Sequence, residues 1–218
     1  MLKPILRCLP VACALWFASC THKDRDHLVR ISVPDQKMLV FHKGVEVARY
    51  DVSTSKFGVG DRPGSFATPL GAMEVAQKIG DRQPAGMKFH SRRPTGEIVK
   101  ADSPGRDPIV SRILWLRGLE RQNCDAFKRA IYIHGTAEEW KIGTPASYGC
   151  IRMRSRDVIK LFNTLEVGAR VEVTTNPFPR QLVQGETVPS TTIHATMPTV
   201  RPTPTPTVTA ASTPAHRG

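Results

Sequence analysis

Between positions 28 and 173 the apolar residues come in short runs of β character, most alternating with polar ones, and Gly or Pro breaks almost every run. Period-two alternation buries one side of a strand and wets the other, so such a chain folds as a sheet and not as a helical bundle. Strands are expected at 28–33, 37–41, 45–52, 71–79, 109–116 and 169–173, with a short β run at 130–133 that ends in His134. His42-Lys43-Gly44 separates two of these runs at hairpin spacing. Helical periodicity occurs once, at 155–165, where Val158, Ile159, Phe162 and Leu165 make one apolar stripe. Ser155 stands where a cap belongs, and Asp157 suits the positive helix end. The expectation is one mainly β domain over 28–175 with one or two short helices. Residues 53–69 (Gly58, Gly60, Pro63, Gly64, Pro69) read as a long loop. Residues 80–108, with Pro84, Pro94, Pro104 and Pro108, read as irregular.

The flanks have a different character. Lys3 and Arg7 precede an apolar stretch at 8–18 that is too short to span a bilayer and fits a secretory signal. It ends at Phe17-Ala18-Ser19-Cys20, which resembles a bacterial lipobox with Cys20 as the lipidated residue; an ordinary signal peptide cut near Ser19 is the other reading. Residues 1–19 are thus expected to be a lipoprotein-type signal peptide, and 20–27 a charged tether. The protein is expected to be exported across the inner membrane and held by a lipid anchor in the periplasm. Residues 176–218 are Pro/Thr-rich and expected to be disordered. The net charge of +12, from 31 Lys and Arg against 19 Asp and Glu, points to an anionic partner. The basic residues are scattered and not interleaved with aromatics, which argues against nucleic acid.

Two of the five cysteines, Cys8 and Cys13, fall in the signal segment. Cys124 lies in a polar setting, and a disulfide from it to Cys150 is left open. Cys150 follows Gly149 and is preceded by a second candidate, His134, itself followed by Gly135. A thiol becomes a nucleophile when an imidazole takes its proton. The neighbouring glycines let the backbone turn and expose the amides, so the N–H of Cys150 is a candidate oxyanion donor. Arg152 can place positive charge beside the sulfur or a substrate carboxylate. One Cys and one His lack partners at metal-ligand spacing, so no metal is assigned. Taken alone, the pair more often means an ordinary buried cysteine and an ordinary histidine than a catalytic couple.

His134-Gly135-Thr136 followed by Ser147-Tyr148-Gly149-Cys150-Ile151-Arg152-Met153 resembles the signature of the L,D-transpeptidase catalytic domain (YkuD type). Residues 35–41 and 52–58 resemble that family's early strands, and Thr68-Pro69-Leu70-Gly71 its Thr-Pro-x-Gly turn. The resemblance implies a β-sandwich-type catalytic domain and a peptidoglycan transpeptidase. Cys150 is then the nucleophile, His134 the base and Gly135 its carbonyl partner, with Gly149 completing the catalytic group. Arg152, Tyr148, Ser147 and Thr136 are the implied substrate-binding residues. Stem peptides are the implied partner, and no cofactor is called for. Water as acceptor would make the same site an L,D-carboxypeptidase or endopeptidase. A cysteine protease and a non-catalytic wall-binding lipoprotein are the rival readings. Tyr148 departs from the family, which has His there most often. Residues 80–108, with Arg92, Arg93 and Lys100, are either a substrate lid or a solvated insertion.

Overall fold

The computed structural model describes residues 23–105 and 107–179; the expected signal segment, Cys20 and most of the Pro/Thr-rich tail lie outside the described residues. The described residues form ten strands, seven of them at the expected runs: β1 (His27–Ser32), β2 (Lys37–His42), β3 (Val45–Asp51), β4 (Gly71–Ile79), β5 (Met87–His90), β6 (Arg93–Ile98), β7 (Ile109–Gly118), β8 (Tyr132–Thr136), β9 (Ile151–Met153) and β10 (Arg170–Thr174). Among the described residues one helix, α1 (Ser155–Thr164), and two single 3-10 turns accompany them, so the domain is mainly β as expected.

All ten strands belong to one hydrogen-bonded sheet, in the order β3-β2-β1-β10-β4-β7. β7 is the branch point. Its C-terminal part pairs with β4 and its first residues with β5, while its other edge carries β8 and then β9. Most neighbours are antiparallel; β1–β10 and β8–β9 are parallel.

The pleat sorts side chains onto two faces. One face packs Ile133, Ile151, Leu114, Leu116, Val171 and Met73 against Val158, Leu161 and Phe162 of α1, all buried. The opposite face holds a smaller cluster of Met87, Phe89, Ile113 and Tyr132, against which Cys150 packs. The helix therefore occupies one side of β8 and β9, leaving the other side for the chemistry.

Several expectations change. Residues 80–108 contain the β5–β6 hairpin, whose outer strand is exposed throughout. Its order comes from pairing with β7 and not from its own pattern. His134 lies inside β8, because pairing with β7 carries that strand on to Thr136. Ser155 does not cap α1. Arg154 is the N-cap residue, and the Ser155 N–H donates to Glu139 Oε1 at 2.7 Å. Buried Asp24 accepts the Glu166 N–H at 2.9 Å, and Asp35 accepts the Phe178 N–H at 2.6 Å, so both ends of the described chain are hydrogen-bonded to the connections beside the sheet.

Candidate active site

Parallel pairing of β8 with β9 sets His134 opposite Arg152 and Ile133 opposite Ile151. Since side chains alternate, Tyr132 and His134 share a face with Arg152, and Cys150, one residue before β9, belongs to the same side. The strands thus bring the sequence-predicted thiol and imidazole onto one surface.

Each is held neutral by burial. His134 is 5% exposed, and loss of water lowers its basicity to about 4; Arg152 works in the same direction, against the Gly135 carbonyl and Asp107. His134 Nδ1 sits 2.8 Å from Gly135 O, a contact that requires the proton on Nδ1 and leaves Nε2 as an acceptor. Burial pushes the Cys150 thiol up to about 11, opposed by the Tyr132 N–H, Arg152 and Arg129. The sulfur accepts from Tyr132 N at 3.4 Å and donates to Ala130 O at 3.4 Å. It meets no imidazole nitrogen, so this is a resting thiol parked on the entry to β8.

Glycine is required at two places. A Cβ on Gly135 would meet Val110 O at 2.6 Å, so β7 and β8 approach closely only without a side chain there. Gly149 has φ +114, and a Cβ would stand 3.2 Å from both Ala67 O and Ile131 Cδ1. That turn is fastened from several sides. Thr68 Oγ1 donates to Gly149 O at 3.1 Å, and the Ser147 hydroxyl donates to Cys150 O at 2.5 Å while accepting from Gly149 N at 3.2 Å. The Cys150 N–H meets no acceptor among the described residues.

The predicted substrate residues separate into two groups. Ser147 and Thr136 are buried with engaged hydroxyls; Thr136 Oγ1 donates to Asp107 Oδ1 at 2.6 Å. They shape the site from within and do not present themselves to a ligand. Arg152 is buried too, with Nε 3.1 Å from Asp107 and Nη1 3.1 Å from Glu138. A guanidinium so paired is a framework charge that acts on the sulfur through space. Tyr148 is the exposed one, at 56%, and it stands between two clefts. One, of about 330 Å³, is lined by Cys150, Ala130, Arg129, Phe66 and Tyr148. The other, of about 480 Å³, is lined by Lys56, Asp107, Glu138, Lys141, Tyr148 and Arg152.

Asp107, Glu138, Arg129 and Lys56 were not legible as site residues. Arg129 donates to Gly60 O and Ala67 O and pairs with Asp61 at 2.7 Å, clamping the 53–69 loop onto the thiol cleft. Nothing local in the sequence marks these partners, which tertiary pairing alone brings in. Cys124 and Cys150 are both free thiols. Asp61, Cys124 and Asp125 form the one potential metal cluster among the described residues, but Asp61 is already engaged by Arg129 and the Asp125 N–H.

A curled β-sheet with a glycine-flanked thiol and a buried imidazole on one face of two parallel strands defines a class of cysteine–histidine site. Residues 26–173 match the L,D-transpeptidase catalytic domain family, YkuD, and the chain belongs to that family. It is 48% identical over 87 residues to the YkuD protein of Bacillus licheniformis, covering 40% of this chain and 48% of that one. It is 38% identical over 76 residues to the YqjB protein of Bacillus subtilis, covering 35% and 40%. These alignments span less than half of the curated relatives' own length. Among solved structures, an L,D-transpeptidase from Xylanimonas cellulosilytica aligns with 17% identity and a TM-score of 0.45 over 71% of this chain and 62% of that one.

Proposed function

We propose that the chain is a peptidoglycan L,D-transpeptidase that forms an acyl-enzyme on Cys150. The observation that carries this reading is the placement of the Cys150 thiol and the His134 imidazole on one face of β8–β9, with Nδ1 tied to Gly135 O and Nε2 left to accept. In this mechanism the thiol leaves Ala130 O and turns toward the imidazole on the same face. The S–H proton passes to His134 Nε2 as sulfur bonds to the carbonyl carbon between an L-centre and a D-residue. The unpartnered Cys150 N–H is the oxyanion donor. Collapse breaks the C–N bond, and the imidazolium proton leaves with the amine. An acceptor amine on a second stem or on a protein then gives its proton to His134, attacks the thioester and releases the thiol. Water in that place gives the carboxypeptidase or endopeptidase instead.

The test is intact-mass analysis with a carbapenem, a strained acyl donor. The wild type is expected to gain one adduct and Cys150→Ala none; an unmodified wild type under reducing conditions would sink the reading. Feeding the acyl-enzyme an amine in competition with water then separates transferase from hydrolase. We also propose anchoring through Cys20 in the periplasm. Cys20→Ala is expected to move the protein from the membrane to the soluble fraction, and continued membrane retention would argue against lipidation.

A further inference from the structure

The cleft beyond Tyr148 is lined by charge. Among the described residues, Lys56, Lys141 and Arg152 face Asp107 and Glu138 across it, three cations to two anions. The anions already have partners. Asp107 pairs with Arg152, and Glu138 with both Arg152 and Lys141, the latter at 2.6 Å. Lys56 is the exception: among the described residues no carboxylate reaches it.

Its ammonium is nonetheless held in place. Nζ donates to Tyr148 OH at 3.2 Å and lies 4.6 Å from the Tyr148 ring centroid and 5.2 Å from that of Phe57. Phe57, Phe66 and Tyr148 form an exposed aromatic collar, with centroids 5.3–5.8 Å apart. Rings around an ammonium fix its position and thin the water about it, which strengthens its pull on an arriving anion. Tyr148 also walls the thiol cleft. A ligand acylating Cys150 therefore crosses Tyr148 to reach Lys56.

We propose that Lys56, presented on Tyr148 and Phe57, is a specificity residue that receives a free carboxylate of the stem peptide. This rests on the acyl-transfer reading, and it gives the Tyr148 departure a purpose: the positive charge left open to substrate comes from Lys56 and not from position 148. Arg152 and Lys141 cannot serve equally, because a substrate anion would have to displace Glu138 or Asp107.

The test reads binding in the Cys150→Ala background, so it does not depend on turnover. The probes are a synthetic stem peptide containing an L-centre to D-residue bond, and analogues with one carboxylate at a time made a carboxamide. By calorimetry one amide is expected to bind roughly tenfold more weakly than the parent, the factor of a single charge-assisted hydrogen bond. Lys56→Met is expected to weaken the parent by the same factor and to erase the difference between parent and that amide. Lys56→Arg is expected to restore most of it. The identity of the sensitive amide tells which carboxylate is read. The proposal is overturned if Lys56→Met binds the parent as well as before, if it still discriminates against the amide, or if no amide differs from the parent. Failure of Cys150 to acylate would overturn the transferase reading while leaving this measurement standing.

Discussion

A buried imidazole with basicity near 4 and a thiol near 11 leave the resting Cys150–His134 pair uncharged across the neutral range. That separates it from sites that store a thiolate–imidazolium pair. The thiol proton moves only when substrate arrives, so kcat/KM is expected to be flat from about pH 4 to about pH 11, where an exposed histidine would bend the acid limb near 6.5. The same burial has a stability consequence. Below pH 6.5 the unfolded chain protonates His134, whereas the folded chain does so only near pH 4. The unfolded state thus binds more protons in that window, and stability falls as pH falls through it, by about 3 kcal/mol at pH 4. Urea midpoints at pH 7 and 4.5 should show this drop in the wild type and a smaller one in His134→Gln; equal drops would show that other groups carry it. Cys150, His134 and their glycines were legible because the motif is local and glycine marks where the backbone must turn or touch. Asp107, Glu138 and Lys56 were not, since an acidic or basic residue in a Pro-rich or Gly-rich stretch looks the same whether it faces solvent or a site.

The β5–β6 hairpin shows where element-level reading runs out. Arg93, Pro94, Thr95, Gly96 and Glu97 offer no alternation, and every residue of β6 is exposed, so the strand has no hydrophobic signature to read. Its turn is built on Ser91 (φ 49) and Arg92 (φ 67), two left-handed residues without glycine, a conformation that needs outside support. Arg92 supplies it. Nη1 donates to Tyr132 OH at 3.2 Å, and the guanidinium lies 4.6 Å over the Trp115 ring. The hairpin tip is thereby tied to the residue whose N–H holds the Cys150 sulfur. Arg92→Met keeps the aliphatic stem but removes the hydrogen bond and the cation–π contact, together about 1–2 kcal/mol. Amide exchange in β5 and β6 is expected to speed up roughly tenfold while the amides of β8 keep their protection. Equal acceleration in β8 would mean that the hairpin is part of the site's own cooperative unit.

At the scale of the molecule, the chain's late strand enters the middle of its sheet. β10 lies between β1 and β4, and Val171 stands level with Val29 on one side and Met73 on the other. The run 169–173 was legible as a strand, but its place between two early strands was not, because a parallel pairing across most of the domain leaves no mark in local pattern. The β1–β3 arm and the β4–β7–β8–β9 arm that bears the site are joined through this strand and, just past β3, through Ser53, which bridges to Arg152 of β9, so the site's stability is expected to follow that of the whole sheet. Val171 is fully buried. Val171→Asp places an unpaired carboxyl in the core and is expected to cost about 4 kcal/mol or more, a large share of the 5–15 kcal/mol typical of a domain. Glu172→Lys, one residue on and paired among the described residues only with exposed Arg30, is expected to cost less than about 1 kcal/mol. If the sheet is one cooperative unit, hydrogen exchange in Val171→Asp rises together in β1, β2, β8 and β9, although β8 and β9 do not pair with β10. Protection that survives in β8 and β9 while β1 and β2 exchange would show that the catalytic arm holds its shape alone, and that β10 fastens the arms without supporting the site.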